Sequence, residues 1–449
     1  MNRIFYILIF ISVCNPVFSQ SIILDEYVKQ GLENNLALKQ QDIDFQQSLY
    51  AIKEARAYFF PQLSLNARAT FANGGRTIDF PIGDLLNPVY STLNTLTASN
   101  SFPQVENEQI QFLRPFEHET KLSLIQPVFN PAIYYNTKIQ QEFANSKSIN
   151  KNIYQRNLVA EIQTAYLNYL KANKGIELIT ETRTLVLENI RVNESLFAND
   201  KITIDNVYRS KAELSKLDQK MAEAEKMLSI SAKYFNFLLN RDLNEQIIID
   251  ETLGEELPTI PVLSAPDELA SGRSELKIIN SYANANNLSQ KMYGSDYLPT
   301  VLLAADYGFQ GDAYKFTADD DFAMLSFVLK WDLFTGNKRK AKLQQAKLQG
   351  ESLSLRYQEI QNQLEIQINT AYLDLLTSEK AIEAARELQN SAEKTFFLIN
   401  KMYKEGQANL LKYLDAQTTL TNARENYWIE VYDYYMKLAE YQKQTEVNL

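Results

Sequence analysis

Residues 158–197, LVAEIQTAYLNYLKANKGIELITETRTLVLENIRVNESLF, decide the fold. Taken at alternating steps of four and three, Leu158, Ile162, Ala165, Tyr169, Ala172, Ile176, Ile179, Val186, Ile190 and Phe197 fall on one line, interrupted only by Arg183 and Asn193. A seam of this heptad period belongs to a helix that supercoils against partner helices. The surrounding stretch from Ile133 to Tyr208 has no proline and one glycine, Gly175. Roughly 65 helical residues at ~1.5 Å each reach on the order of 100 Å, several times the diameter of a compact domain.

The seam occurs twice. Adding 206 to each position gives Leu364, Ile368, Ala371, Leu375, Ser378, Ile382, Ala385, Ala392, Phe396 and Tyr403, with Gln389 in the place of Arg183 and Ile399 in the place of Asn193. The wording repeats as well, Thr164-Ala165-Tyr166-Leu167 against Thr370-Ala371-Tyr372-Leu373. Length alone, 449 residues, would suggest about three domains. The repetition instead makes the chain one unit used twice, residues 20–242 and 268–449, joined by a linker at 243–267 that carries Pro258, Pro261 and Pro266.

The amino terminus reads as a secretory signal peptide over residues 1–19: Met1-Asn2-Arg3, an apolar run from Ile4 to Ile11, then Val17-Phe18-Ser19. Such a run is too short to cross ~30 Å of hydrocarbon. The only cysteine, Cys14, lies inside it, so cleavage after Ser19 leaves no disulfide. Lipid attachment at Cys14 is a second reading, although Val13 is bulky for that processing. Without Arg3 there are 44 basic residues against 55 acidic, a balance that disfavours nucleic acid as a partner.

Before and between the long helices the period changes. A helix over Ile23–Tyr58, with Leu24, Tyr27, Val28 and Leu32 on one face and a break at Asn34-Asn35, ends at Pro61. Leu63, Leu65, Ala67, Ala69 and Phe71 then alternate with Ser64, Asn66, Arg68 and Thr70, a strand of membrane-crossing length. Ala72 to His118, rich in Gly, Pro, Ser, Thr and Asn, reads as a long exposed excursion. Alternation resumes at Lys121–Leu124 and closes at Gln126-Pro127-Val128-Phe129-Asn130-Pro131. The second copy repeats the pair, with Val301, Leu303, Ala305, Tyr307 and Phe309, then Leu325, Phe327, Leu329, Trp331 and Leu333. Across this hairpin the offset between copies falls from 238 to 206, so the first loop is longer by 32 residues. Asn199-Asp200-Lys201 and Lys404-Glu405-Gly406-Gln407 mark the tips of two helical hairpins, whose return helices carry Val207 to Leu238 and Tyr413 to Tyr441.

Four such strands cannot stay open in hydrocarbon, where each backbone polar group must be paired. Three chains would supply twelve strands, enough for a water-filled lumen. The expected fold is therefore mainly α with a membrane β-barrel portion: duplicated long coiled-coil helices plus four strands per chain.

Phe60-Pro61-Gln62-Leu63-Ser64-Leu65, Gln126-Pro127-Val128-Phe129, and Tyr403-x-x-Gly406 followed by Tyr413-Leu414-Asp415-Ala416-Gln417 resemble the TolC-type outer-membrane efflux proteins, over essentially the whole mature chain. The resemblance implies a homotrimeric twelve-stranded barrel in outer-membrane lipid, continued by an α-helical barrel across the periplasm. It implies docking with a periplasmic adaptor protein and an inner-membrane pump at a tip that here comprises Asp200, Lys201, Gly406 and Gln407. It also implies a periplasmic aperture at Tyr403 and Asp415; the position three before Asp415, often acidic in that family, is Lys412 here. Asp415 as a solvated helix-face residue is the plainer reading.

No chemistry is indicated. The sole histidine is His118, no glycine-rich phosphate loop or metal-ligand spacing is found, and no cofactor is called for. Asp319-Asp320-Asp321 reads as a solvated loop, with surface calcium as the rival. A secreted, soluble coiled-coil scaffold or adhesin is the alternative of another class. It explains the heptads but not strand pairs of membrane-crossing length at matching points in both copies.

Overall fold

A computed structural model describes residues 21–254, 257–260 and 265–446; the leader with Cys14 lies outside them. In chain order the elements are α1 (Ile22–Asn34), α2 (Leu36–Ala57), β1 (Gln62–Phe71), β2 (Thr77–Phe80), α3 (Ile82–Thr97), β3 (Glu108–Gln111), β4 (Phe116–Phe129), α4 (Pro131–Ala198), α5 (Ile204–Leu238), α6 (Pro266–Gly272), α7 (Ser274–Ser295), β5 (Thr300–Gly311), β6 (Asp321–Lys330), α8 (Lys338–Lys404) and α9 (Leu410–Thr445). No described helix is long and apolar enough to cross a membrane.

The chain forms two compact units. The first takes in the described residues of Met1–Leu49, Glu142–Ala285 and Gln349–Leu449, and the second Tyr50–Gln141 and Asn286–Leu348. The long helices α4 and α8 have 68 and 67 residues. In the first unit their seams are the core: Leu158, Ile162, Ala165, Val186 and Ile190 on α4 and Leu364, Ile368, Ala371, Leu375 and Ile382 on α8 are all buried. Ser378, polar at a seam position, is buried with its hydroxyl on the Leu375 carbonyl at 2.8 Å. Arg183 turns out to an exposed ion pair with Asp218 at 3.2 Å, which contributes little to stability.

The break at Asn34-Asn35 has a local cause. The Asn35 side chain accepts from the Leu38 amide at 3.0 Å, capping α2, and donates to the Leu238 carbonyl on α5 at 2.9 Å. The Asn35 amide itself closes α1 on the Gly31 carbonyl.

The segment between the copies is not a free tether. Tyr27, Tyr166 and Phe235 form a ring cluster, with Tyr27 edge-on to Phe235 at 5.0 Å. The two tyrosine hydroxyls hold the connecting backbone: the Ile248 amide donates to Tyr27 Oη at 2.9 Å, Tyr166 Oη donates to the Ile248 carbonyl at 2.9 Å, and the Asp250 amide donates back to Tyr166 Oη at 3.0 Å. Tyr434 Oη donates further on, to the Pro258 carbonyl. Buried hydroxyls require such partners. Burial also drives the Tyr166 hydroxyl pKa far above its ordinary range.

The second unit contains a four-stranded antiparallel sheet in the order β1-β4-β5-β6. Its register aligns Leu65, Leu122 and Tyr307 in one row and Leu63, Leu124, Ala305 and Leu325 in another. Between these rows lies Ser64–Ser123–Asp306. The fourth strand is shorter than its alternation implied. It stops at Lys330, after which the Trp331 indole donates to the Tyr297 carbonyl at 3.1 Å.

The excursion from Ala72 to His118 is corrected by the structure, because it has architecture of its own. β2 and β3 pair as a small ribbon, and α3 lies between them in sequence. Asparagines hold it. Asn87 and Asn94 each bond both backbone groups of one residue, Val105 and Phe102 respectively, at 2.8–3.1 Å. Asn107 Oδ1 accepts from the Asp84 amide at 3.0 Å. The Val105 carbonyl comes within 2.3 Å of where a Cβ on Gly83 would sit, so only glycine admits this approach.

Candidate functional site: the coiled-coil tips and the sheet face

Both helical hairpins turn by the same device. At the first tip the Asp200 amide donates to the Phe197 carbonyl and the Lys201 amide to Leu196; at the second the Gly406 amide donates to Tyr403 and Gln407 to Met402, all at 2.8–3.0 Å. This is the paired closure that satisfies the last carbonyls of a helix, and it needs one left-handed residue. Asp200 takes that conformation at φ 58° and Gly406 at φ 73°. Asp200, Lys201, Gly406 and Gln407 are exposed at these turns. A Cβ at Gly406 would meet nothing within 4 Å, so the position is held by backbone alone. Gly406→Ala should therefore destabilise the hairpin by about 1 kcal/mol through the left-handed penalty. Faster amide exchange confined to residues near 400–412 is the expected readout.

Behind the tips lies a polar node that the seam showed only as an interruption. Asn193, fully buried, donates from Nδ2 to Asn189 Oδ1 at 3.1 Å and to Ser210 Oγ at 2.6 Å, and Ser210 donates to Asn189 Oδ1 at 2.7 Å. Tyr403 Oη donates to Asn193 Oδ1. The node thus ties α8 to α4 and α5. Tyr403 is buried, with its ring 4.9 Å from that of Tyr413. Burial raises the Tyr403 hydroxyl pKa, against hydrogen bonds to Asn193 and Asn189 that lower it. Burial pushes the Tyr413 hydroxyl up to about 12. Around them Phe396, Ile399, Leu410, Ala416 and Leu420 complete an apolar cluster.

Asp415 lies apart from this node. It is exposed on α9 between the buried Tyr413 and Ala416, and Lys412, one turn earlier, is exposed too. The structure therefore brings Tyr403 together with Asn193, which the sequence reading did not pair with it, and leaves Asp415 on an open face. Among the described residues no group of three or more His, Cys, Asp and Glu side chains could hold a metal ion.

The sheet supplies the second functional feature. Its apolar rows are largely exposed and its polar row is sheltered where it crosses β4 and β5: Leu65 is 68 % exposed and Phe327 75 %, whereas Ser123 is 7 % exposed and Asp306 half-buried. On the sheltered face Lys121 meets Glu119 at 2.9 Å and Asp306 at 3.4 Å, Arg68 meets Glu119 at 3.7 Å, and Asn66 donates to Ser123 Oγ at 3.2 Å. A sheet in water has the opposite arrangement. Alternation with the apolar side outward is that of a strand in lipid.

Long paired helices carried with a sheet of this polarity define the class of outer-membrane channel proteins. The comparisons agree with that class: the family model described as outer membrane efflux protein matches residues 266–437 of this chain. It is 24 % identical to outer membrane protein OprJ of Pseudomonas aeruginosa over 403 residues, 88 % of this chain and 78 % of that protein. It is 21 % identical to outer membrane protein TolC of Escherichia coli over 452 residues, 97 % of this chain and 84 % of that protein. A solved membrane protein from Pseudomonas aeruginosa shares the fold with a TM-score of 0.78 at 17 % identity, covering 95 % of this chain and 92 % of that one.

Proposed function

We propose that this outer-membrane efflux protein is the passive export duct of a tripartite efflux or type I secretion system, without chemistry of its own. Three chains close a twelve-stranded barrel, continued by an α-helical barrel into the periplasm, and each chain contributes the two repeats at 20–242 and 268–449. The tips at Asp200-Lys201 and Gly406-Gln407 dock a periplasmic adaptor, which joins the duct to an inner-membrane pump. Tyr403 and Asp415 belong to the aperture that narrows this end. The 32-residue excess of the first hairpin loop lies outside the cell, because barrels of this kind keep long loops extracellular.

The observation that carries this reading is the exposed apolar band on a sheet whose edge strands, β1 and β6, pair with nothing else among the described residues. A soluble scaffold or adhesin would bury that band; a barrel turns it to lipid and pairs the edges with neighbouring copies. The chain should therefore need detergent for extraction, and the extracted protein should have the mass of three chains. A detergent-free monomer that keeps its full strand content would overturn the proposal.

A further inference from the structure

Where α7 leads into β5 and β6 gives way to α8, the second unit carries a concentration of positive charge that a duct does not require. Lys330 ends β6, Lys338-Arg339-Lys340 opens α8, and Lys342 follows one turn on. Lys330, Lys338, Arg339 and Lys342 line a cavity of about 250 Å³, together with Asp296 and Asp332. Asp332 is 4.0 Å from Lys330. Four cations against two carboxylates leave the cavity positive.

Two features show that this charge is uncompensated. Helices favour acidic residues in the first turn, where the amides and the dipole are positive, yet α8 has none there and three cations instead. The more telling feature is Arg339. It is 8 % exposed, its guanidinium donates to the Asp332 carbonyl and lies 5.2 Å over the Tyr297 ring, and no described carboxylate is within ion-pair distance. Among the described residues the two other buried arginines, Arg156 and Arg273, each meet Glu275 and Glu446. A guanidinium withdrawn from water without a counter-ion is costly, and the remaining donors of Arg339 are on a side chain that lines the cavity.

The surroundings indicate which anion it accepts. Trp331, Leu333, Phe334, Tyr297 and Leu298 are all exposed beside the cavity, as are the lipid-side residues Phe327 and Leu329 of β6. Tryptophan and tyrosine at the end of an apolar band mark the headgroup level of a bilayer, and basic clusters there attract anionic lipid. A ligand that satisfies both has a phosphate head and acyl chains. We propose that this cavity binds the headgroup of an anionic phospholipid in the leaflet on the helix side of the sheet, an inference that rests on the outer-membrane reading above.

The test titrates the detergent-purified full-length protein with phosphatidylglycerol, phosphatidylcholine or inorganic phosphate and counts bound molecules by native mass spectrometry. Wild type should retain phosphatidylglycerol in preference to phosphatidylcholine. At low ionic strength, Lys338→Gln with Lys342→Gln should weaken that binding about 30-fold, from roughly fivefold per lysine near an anionic headgroup. Both lysines are exposed, so the fold is not at risk, and Lys315→Gln in the distant hairpin loop should change nothing. Equal retention of the two lipids, or an unaffected double variant, overturns the proposal. Displacement of phosphatidylglycerol by an equal concentration of inorganic phosphate also overturns it, and assigns the cavity to a free anion. Planar-bilayer conductance of the same samples separates the two readings. A conducting channel without lipid preference fails the lipid site alone, whereas absent conductance fails the channel reading beneath it.

Discussion

Glu275→Ala is expected to lose about 3 kcal/mol of stability and to flatten the acid limb of the unfolding profile. The carboxylate sits between two buried guanidinium groups. Arg273, 2 % exposed, donates to it from Nε at 3.0 Å and from Nη2 at 2.8 Å, and Arg156 donates from Nη2 at 2.6 Å. Glu446 completes the cluster, bonded by Arg156 and accepting from the Ser274 amide at 3.2 Å. Helix α4, the start of α7 and the end of α9 are thereby joined within the first unit. Removing one partner of such a cluster costs about 3–5 kcal/mol because it strands the opposite charge. The lower figure applies here, since the Glu275 side chain is 27 % exposed and partly screened.

The pH dependence follows from the same geometry. Desolvation, the largest single influence on Glu275, raises its pKa, but hydrogen bonds and charges from Arg273 and Arg156 together outweigh it and bring the group to about 2. The folded pKa is thus below the unfolded value of 4.5. The stabilisation is complete above pH ~4.5 and disappears as the pH falls toward ~2. Urea unfolding of the detergent-solubilised protein between pH 3 and pH 7, followed by helical circular dichroism, measures both effects. Equal stability of variant and wild type at pH 7 would show that the cluster is structurally neutral.

None of this cluster was legible in the sequence, whereas the helices holding it were. A heptad seam is a local signal: each residue predicts another three or four places on, and Leu158, Ile162, Ala165, Val186 and Ile190 are buried as their spacing required, while Tyr169, Ala172, Ile176 and Ile179 between them are half-buried. Arg156, Glu275 and Glu446 have no such period, since 119 and 290 residues separate Arg156 from its two partners. The hairpin tips were readable because a left-handed helix end favours glycine, and Gly406 supplied one. At the first tip Asp200 does the same work, within the Asn199-Asp200-Lys201 run that pointed to a turn. Helix α3 was missed for a different reason. Asparagine, serine and proline mark loops because their side chains satisfy backbone groups outside regular structure. In this excursion Asn87 and Asn94 do satisfy backbone groups, but from a helix, pinning the irregular segment at Phe102 and Val105 beside it. Tyr403 and Asp415 were marked as aperture residues through resemblance alone. The partner that gives Tyr403 a physical role, Asn193, was visible only as a flaw in the seam.

That flaw carries the last prediction. If the second hairpin moves away from the first when the periplasmic end opens, the bond from Tyr403 to Asn193 is one that must break, since it joins α8 to α4. Tyr403→Phe removes one neutral hydrogen bond, worth about 1 kcal/mol, and should raise resting conductance in a planar bilayer roughly fivefold. Asn193→Ala should do more. It takes away the acceptor for Tyr403 and the donor to Asn189 and Ser210 together, leaving buried polar groups unmet at about 1–3 kcal/mol, or up to ~100-fold in the closed-to-open ratio. Asn193→Leu, which restores the apolar seam, separates gating from mere stability. It should recover resistance to urea by filling the heptad position, yet stay at least as conductive as Tyr403→Phe, because the contact between hairpins is still lost and the Tyr403 hydroxyl has no acceptor there. A Tyr403→Phe channel with wild-type resting conductance would remove this bond from the gate and leave the node as a packing feature of the coiled coil.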